Sequence, residues 1–190
     1  MNLPNKITLF RVCLIPVFLL FALGLPFGVG NQFFEVYGTY IAAAIFIIAS
    51  ISDFADGYIA RKQNLVTNFG KFMDPIADKI LVVSAMLVLV KQDVFSALGV
   101  IIIVAREFMV SAIRMMAASG DGKVIAADKV GKVKTVFQML AVIFALLRDF
   151  PFSVVLKSFH VYDVLFWISV ILTIWSGVDY LIKNRQYLRG

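Results

Sequence analysis

Cysteine and histidine are almost absent from this chain of 190 residues, which has one of each, Cys13 and His160. A single cysteine excludes an intrachain disulfide. Charged residues are also scarce, at 16% of the sequence, whereas 61% of it is hydrophobic. This composition is too apolar for a soluble domain and predicts a polytopic membrane protein. Because the sequence has no internal repeat, low-complexity tract or linker, we expect residues 1–190 to form a single domain.

Acidic residues are fewer than basic ones, and the formal net charge is +6. This balance suits a protein that lies against an anionic cytoplasmic leaflet and handles anionic substrates. We therefore expect a lipid bilayer, and no nucleic acid, as the partner of the positive charge.

Long charge-free runs are missing as well, although the apolar segments predict six transmembrane helices. The first span, Val12–Leu23, follows a polar and apolar alternation in Asn2–Arg11 that is typical of a short interfacial helix. No A-x-A site follows this segment, so an uncleaved span is favoured over a signal peptide. The other spans are expected at roughly Tyr37–Arg61, Gly70–Val90, Phe95–Ala118, Lys129–Leu147 and Tyr162–Lys183. Their charge-free parts are shorter than the roughly 20 residues that cross a bilayer, so each must have a polar end within the membrane.

The basic residues predict the orientation of these spans. Of the 18 basic residues, loops 24–36, 91–94 and 148–161 together contain only three, Lys91, Arg148 and Lys157. The positive-inside rule then places both termini, the turn 62–69 and the loop 120–127 in the cytoplasm. The charges that interrupt the spans fall on the same side, and we expect them to line a polar cavity that faces the cytoplasm.

Four carboxylates lie where the hydropathy predicts membrane. Asp53 and Asp56 are three residues apart, and Asp74 and Asp78 are four apart, so each pair shares one face of a helix. An ionisable group at bilayer depth costs roughly 2.5 kcal/mol or more. Four of them together therefore predict a functional site.

These acids need positive charge to remain ionised side by side. Without cysteine or histidine nearby, the ligands are oxygens, which favours two Mg²⁺ or Mn²⁺ ions acting on a phosphate group. Gly57 and Ala60 extend the first face without bulk and leave room for a ligand. A buried salt-bridge network is the alternative, and its cations would be Arg61, Lys62, Lys71 and Lys79.

The complete pattern D-x2-D-G-x2-A-R-x8-G-x3-D-x3-D begins at Asp53 and resembles the signature of the CDP-alcohol phosphotransferase family. This resemblance implies a membrane enzyme that moves a phosphatidyl or related group from a CDP-linked donor to an alcohol and releases CMP. It implies metal binding by Asp53, Asp56, Asp74 and Asp78, with Asp78 also acting as general base. It implies donor contacts from Gly57, Ala60, Arg61, Thr67 and Gly70, and from Asn5 and Thr8 near the N-terminus.

A second polar cluster comprises Arg106 and Arg114 with Lys132, Lys134 and Thr135. Arg106 and Arg114 are eight residues apart and differ by about 80° around a helix, so they can lean into one pocket. A guanidinium group can donate two parallel hydrogen bonds to one phosphate, which suits binding of a phosphate that does not take part in the reaction. The alternative is ordinary basic charge at the cytoplasmic ends of spans.

Residues 2–11, 105–114 and 126–135 are similar to the family members that use sn-glycerol 3-phosphate as acceptor and CDP-diacylglycerol as donor. The resemblance covers about residues 2–140, whereas the last span matches only in hydropathy. It implies a homodimer in the cytoplasmic membrane. Two alternatives stay open: a sibling enzyme that uses serine, inositol phosphate or phosphatidylglycerol as acceptor, and a small cation-coupled carrier.

Several aromatic residues near the C-terminus have patterns typical of a membrane interface or of lipid packing. They are His160, Tyr162, Trp167, Trp175 and Tyr180.

Overall fold

The computed structural model of the chain is all-helical in the part that it describes. The backbone description covers residues 3–24, 31–63, 68–120, 129–150 and 160–185. Side chains are described within those ranges except at residues 3–8, 31–33, 35, 53–63, 68–78, 117–120 and 129. These ranges contain six helices and no strand, which confirms the all-α prediction.

The helix bounds follow the predicted spans closely. The helices are α1 (Leu3–Leu23), α2 (Asn31–Gln63), α3 (Asn68–Lys91), α4 (Ala97–Gly120), α5 (Lys129–Leu146) and α6 (Val161–Lys183). The last four begin and end within two residues of the prediction, and α2 begins six residues earlier than Tyr37. The polar turn was predicted at residues 62–69, but residues 62 and 63 belong to α2 and residues 68 and 69 to α3; residues 64–67 lie outside the described residues.

The first helix corrects one prediction. Leu3–Leu23 is a single continuous helix, so a separate interfacial helix before the first span is wrong. The sequence around Arg11 and Val12 has no glycine or proline, so nothing there stops the helical hydrogen bonding. Arg11 is 1% exposed, which means that it faces neighbouring helices and not a membrane surface. The helices that pack against α1 are α2 and α3.

One continuous apolar core joins the helices. Phe18 of α1 packs near Phe46 of α2, with ring centroids 6.3 Å apart, and both side chains are fully buried. Phe95 stacks on Phe166 of α6 with centroids 4.3 Å apart. Helix α6 packs on α5 and α4, so the last helix closes the bundle over the C-terminal half of the chain.

The outer faces of the helices are apolar and exposed. On α4, more than 60% of each of Leu98, Ile101, Phe108 and Met115 is exposed, and Trp175 of α6 is 69% exposed. An exposed apolar surface of this extent marks contact with lipid or with another protein. Within the described residues, Val161–Lys183 is long and apolar enough to cross a membrane, and the apolar stretches Leu9–Leu23 and Val36–Ser52 are shorter.

A buried aspartate joins α5 to the start of α6. Asp149 accepts hydrogen bonds from the backbone N–H of Val161 at 3.1 Å and of Tyr162 at 3.0 Å. Its Oδ2 also lies 3.3 Å from Nδ1 of His160, whose side chain is 60% exposed. Asp149 thus satisfies N–H groups at the helix N-terminus that have no intrahelical partner. This contact fixes α6 at the end where α5 finishes.

Candidate active site

The four predicted metal ligands lie on two helices that follow each other in the chain. Asp53 and Asp56 are in the last third of α2, and Asp74 and Asp78 are in the first half of α3. Their side chains lie outside the described residues, so metal binding stays a prediction. The residues whose side chains are described contain no group of three or more acidic, cysteine or histidine residues able to hold a metal ion.

Most of the residues predicted to contact the donor lie on the first three helices. Asn5 and Thr8 lie on α1, Gly57, Ala60 and Arg61 on α2, and Gly70 on α3. Their side chains are not among those described, and Thr67 falls in the connection outside the described backbone. Donor binding by these residues therefore stays a prediction.

The second polar cluster is described, and its centre is the Glu107 carboxylate of α4. Lys134 of α5 donates a hydrogen bond to Oε1 of Glu107, and Nη1 of Arg106 lies 3.1 Å from the same oxygen. The exposed fractions of the side chains are 1% for Lys134, 11% for Arg106 and 25% for Glu107. Charges this deep are stable only when they are paired and hydrogen-bonded. The ion pair between Lys134 and Glu107 therefore joins α5 to α4.

A lysine from α3 joins the same cluster. Nζ of Lys79 donates to the backbone carbonyl of Glu107 at 3.2 Å and to Oγ of Ser111. The Ser111 hydroxyl in turn donates to the Glu107 carbonyl at 2.8 Å. Since Lys79 follows Asp78 directly, this contact ties α3 to α4 beside the predicted general base. We call Lys79, Arg106, Glu107, Ser111 and Lys134 the Glu107 cluster.

Arg106 lies between two glycines of other helices. A Cβ atom at Gly131 of α5 would stand 3.2 Å from Nη2 of Arg106, and one at Gly177 of α6 would stand 3.1 Å from its Cγ. Both distances are shorter than ordinary van der Waals contact. Nε of Arg106 is buried and has no hydrogen-bond partner within the described part of the chain. The Arg106 side chain therefore occupies the space that the two glycines leave, and its Nε–H group donates to no described residue.

Arg114 contacts the same helix, one turn further along. Its guanidinium carbon lies 5.8 Å from the ring centroid of Tyr180, within the range of a cation–π interaction. Nε of Arg114 and the hydroxyl of Tyr180 are buried without a hydrogen-bond partner in the described ranges. Arg106 and Arg114 thus both lie against α6. A single pocket that holds both, as the sequence predicts, stays a prediction.

The other two predicted acceptor residues are separate from the Glu107 cluster. Lys132 and Thr135 are exposed, whereas Lys134 between them is buried. The Thr135 hydroxyl donates to the Gly131 carbonyl of its own helix at 3.0 Å. Adjacent residues on a helix point about 100° apart, so burying Lys134 turns its neighbours outward.

Sequence reasoning missed the roles of Glu107, Ser111, Gly177 and Tyr180. Glu107 could have been found, because it is an acid beside Arg106 within a predicted span and must be paired there. Tyr180 was expected at the membrane interface, and this is wrong: it is 4% exposed and packs with Val110 and Ile113. Nothing in the local sequence distinguishes it from Trp175, which is 69% exposed.

Comparisons with known proteins agree with the signature. The model of the CDP-alcohol phosphatidyltransferase family matches residues 1–175. The chain is 48% identical to the CDP-diacylglycerol–glycerol-3-phosphate 3-phosphatidyltransferase of Bacillus subtilis, over 99% of this chain and 97% of the relative. Proteins of the same name are 40% identical in Salmonella choleraesuis, over 97% and 95% of the two chains, and 38% identical in Rickettsia felis, over 98% and 97%.

Proposed function

The chain belongs to the CDP-alcohol phosphatidyltransferase family, and we propose that it transfers the phosphatidyl group of CDP-diacylglycerol to sn-glycerol 3-phosphate. The hydroxyl oxygen of the acceptor bonds to the phosphorus that carries the diacylglycerol. The bond from that phosphorus to the CMP oxygen breaks, so the products are phosphatidylglycerophosphate and CMP. The observation that carries the proposal is similarity over nearly the whole length to relatives named for this reaction, with every signature position present.

The signature acids suit a divalent metal site. Asp53 lies ten residues before the end of α2 at Gln63, and Asp78 lies ten residues after the start of α3 at Asn68. At 1.5 Å per residue, each is roughly 15 Å along its helix from the connection 64–67. Four carboxylates form an all-oxygen donor set of the kind that Mg²⁺ and Mn²⁺ prefer. When bound, such ions neutralise phosphate charge.

The other signature residues bind and orient the donor in this proposal. Gly57 and Ala60 leave room for the cytidine, and Arg61 and Thr67 lie near its phosphates. Gly70, Asn5 and Thr8 complete the donor site. Asp78 takes the proton from the acceptor hydroxyl as the new bond forms. These roles follow from the family resemblance of each position.

The basic residues of α4 and α5 bind the phosphate of the acceptor. Arg106 and Arg114 each keep a buried Nε–H group without a partner in the described residues, and phosphate oxygens are the acceptors that guanidinium groups favour. Lys134 adds positive charge from within the Glu107 cluster, whereas Lys132 and Thr135 are exposed on α5 and would reach the phosphate only from outside that cluster. Glycerol 3-phosphate carries its charged phosphate away from the attacking hydroxyl, which matches a cationic site separate from the metal acids.

The enzyme spans the cytoplasmic membrane six times, as a homodimer of single-domain chains, with both termini and the active site on the cytoplasmic side. The exposed apolar faces of α4 and α6 support contact with lipid. The distribution of basic residues among the loops supports the orientation. A polar cavity open to the cytoplasm lets a soluble acceptor meet a lipid donor.

Release of CMP by the purified protein in detergent tests the proposal. We expect CMP with CDP-diacylglycerol and sn-glycerol 3-phosphate, and none above background with serine, inositol phosphate or phosphatidylglycerol. Release with one of these other acceptors would assign the chain to a sibling reaction. Absence of release with every acceptor, from folded protein supplied with Mg²⁺ and Mn²⁺, would contradict phosphatidyl transfer and favour a carrier.

A further inference from the structure

The last helix has no role in the sequence signature, yet it contacts both arginines assigned to the acceptor phosphate. Its buried face consists of Phe166, Ser169, Val170, Thr173, Ser176, Gly177 and Tyr180. The hydroxyls of Ser169 and Thr173 donate to carbonyls of their own helix at 2.7 Å and 2.6 Å. These polar groups are therefore satisfied within α6, and their small size allows neighbouring helices to approach closely.

Tyr180 provides the surface on which the Arg114 guanidinium rests. Its ring packs with Val110 and Ile113 in a small apolar cluster of its own, separate from the main core. The ring is 4% exposed, so the cation–π contact with Arg114 at 5.8 Å is largely shielded from solvent. Shielding strengthens such a contact. An arginine held on a fixed ring also keeps one orientation before the ligand arrives.

Gly177 provides the space through which the Arg106 stem passes. A Cβ atom there would stand 3.1 Å from Cγ of Arg106 and 3.8 Å from Cε of Met109. Gly131 of α5 likewise leaves room for the guanidinium, since a Cβ atom there would stand 3.2 Å from Nη2 of Arg106. A Cβ atom at position 177 would require Cγ of Arg106 to move by a few tenths of an ångström, and Cγ carries the guanidinium whose Nη1 lies 3.1 Å from the Glu107 carboxylate.

We propose that Gly177 and Tyr180 are positioning residues for binding of the acceptor phosphate. Gly177 leaves space for the Arg106 side chain, and the Tyr180 ring supports the Arg114 guanidinium. The last helix thereby sets the affinity for a phosphorylated acceptor without touching it. This inference rests on the proposed function, because it requires Arg106 and Arg114 to bind the phosphate of sn-glycerol 3-phosphate.

Steady-state kinetics in detergent test the inference through the KM for each substrate. Tyr180→Leu removes the ring and is expected to raise the KM for sn-glycerol 3-phosphate roughly five- to thirtyfold, the range of a shielded cation–π contact. The KM for CDP-diacylglycerol stays within about twofold. Tyr180→Phe keeps the ring and removes only a hydroxyl without a partner in the described residues, so both KM values stay near wild type. Gly177→Ala raises the acceptor KM in the same selective way.

Matched controls separate positioning from general damage to α6. Val178→Ala and Ile174→Ala change exposed side chains of the same helix and leave both KM values unchanged. A KM does not depend on the fraction of protein that is folded, so a loss of stability in Tyr180→Leu leaves the test valid. An equal rise in both KM values, or a rise in Tyr180→Phe equal to that in Tyr180→Leu, would overturn the inference.

A double variant separates this inference from the proposed function. Arg114→Ala raises the acceptor KM if the proposed phosphate site is correct, and adding Tyr180→Leu then produces no further rise, because the tyrosine acts through the arginine. A multiplicative effect of the two changes overturns the positioning role and leaves the proposed site intact. An unchanged acceptor KM in both Arg106→Ala and Arg114→Ala overturns the phosphate site and the inference with it.

Discussion

Lys134 of α5 forms a buried ion pair with Glu107 of α4, and only 1% of the lysine side chain is exposed. The two residues are 27 positions apart and belong to helices separated by residues 121–128. Arg106 of α4 binds the same carboxylate, and Lys79 of α3 donates to the backbone carbonyl of Glu107, so this one residue contacts cations from three helices. Removing that carboxylate would leave buried positive charge without its partner in this cluster.

We expect Glu107→Gln to lower the free energy of unfolding by about 3 kcal/mol, as breaking a buried ion pair usually does. Glu107→Gln combined with Lys134→Met should recover part of the loss, since the double variant removes the unpaired lysine, whereas Arg106 still lacks the carboxylate. Thermal unfolding in detergent measures the effect. Lys183→Met is the control, because it breaks an exposed pair with Asp179 and should cost at most about 1 kcal/mol. A double variant as unstable as the two single variants added together would contradict this account.

Each of Asp53→Asn, Asp56→Asn, Asp74→Asn and Asp78→Asn should reduce CMP release more than about a hundredfold while the protein stays folded, because electrostatic stabilisation of phosphate charge is lost. EDTA should abolish wild-type activity, and added Mg²⁺ or Mn²⁺ should restore it. Asp179→Asn is the matched control and should retain activity, since Asp179 pairs with Lys183 on the outer part of α6. Full wild-type activity in EDTA would exclude a metal requirement.

Asp78 should differ from the other acids because it handles a proton. Loss of a general base costs roughly 10² to 10⁴ in rate and can leave ligand binding intact. Equilibrium binding of CDP-diacylglycerol should therefore be stronger in Asp78→Asn than in Asp53→Asn. If both variants lose donor binding to the same extent, Asp78 has no role separate from its neighbours.

Labelling of single cysteines tests the proposed orientation in intact cells. In a Cys13→Ser background, cysteines at Asn64 and Gly122 should resist a membrane-impermeant reagent, because the positive-inside rule places them in the cytoplasm. Cysteines at Gln32 and Ser153 should react. The reverse pattern would place the basic loops outside and contradict a cytoplasmic active site.

The helices themselves could be predicted well from sequence. The bounds of α3 to α6 follow from where charge and glycine interrupt apolar runs, which is local information. The prediction of a separate interfacial helix was wrong, since Asn2–Arg11 contains no glycine, and its one proline, Pro4, lies in the first turn of α1, where a helix tolerates it. A change in amphipathic pattern alone therefore does not end a helix.

The proposed chemistry rests on the sequence as well, because the signature acids have fixed spacings that resemble those of the family. The tertiary structure alone decided which side chains meet. Glu107 pairs with Lys134, and Tyr180 supports Arg114 while Trp175 on the same helix faces outward. Hydropathy cannot separate these two aromatic residues, because the orientation of α6 depends on packing against α4 and α5, helices distant in sequence. Local pattern determined the helices and predicted the reacting groups, whereas close helix packing determined how the arginines are held.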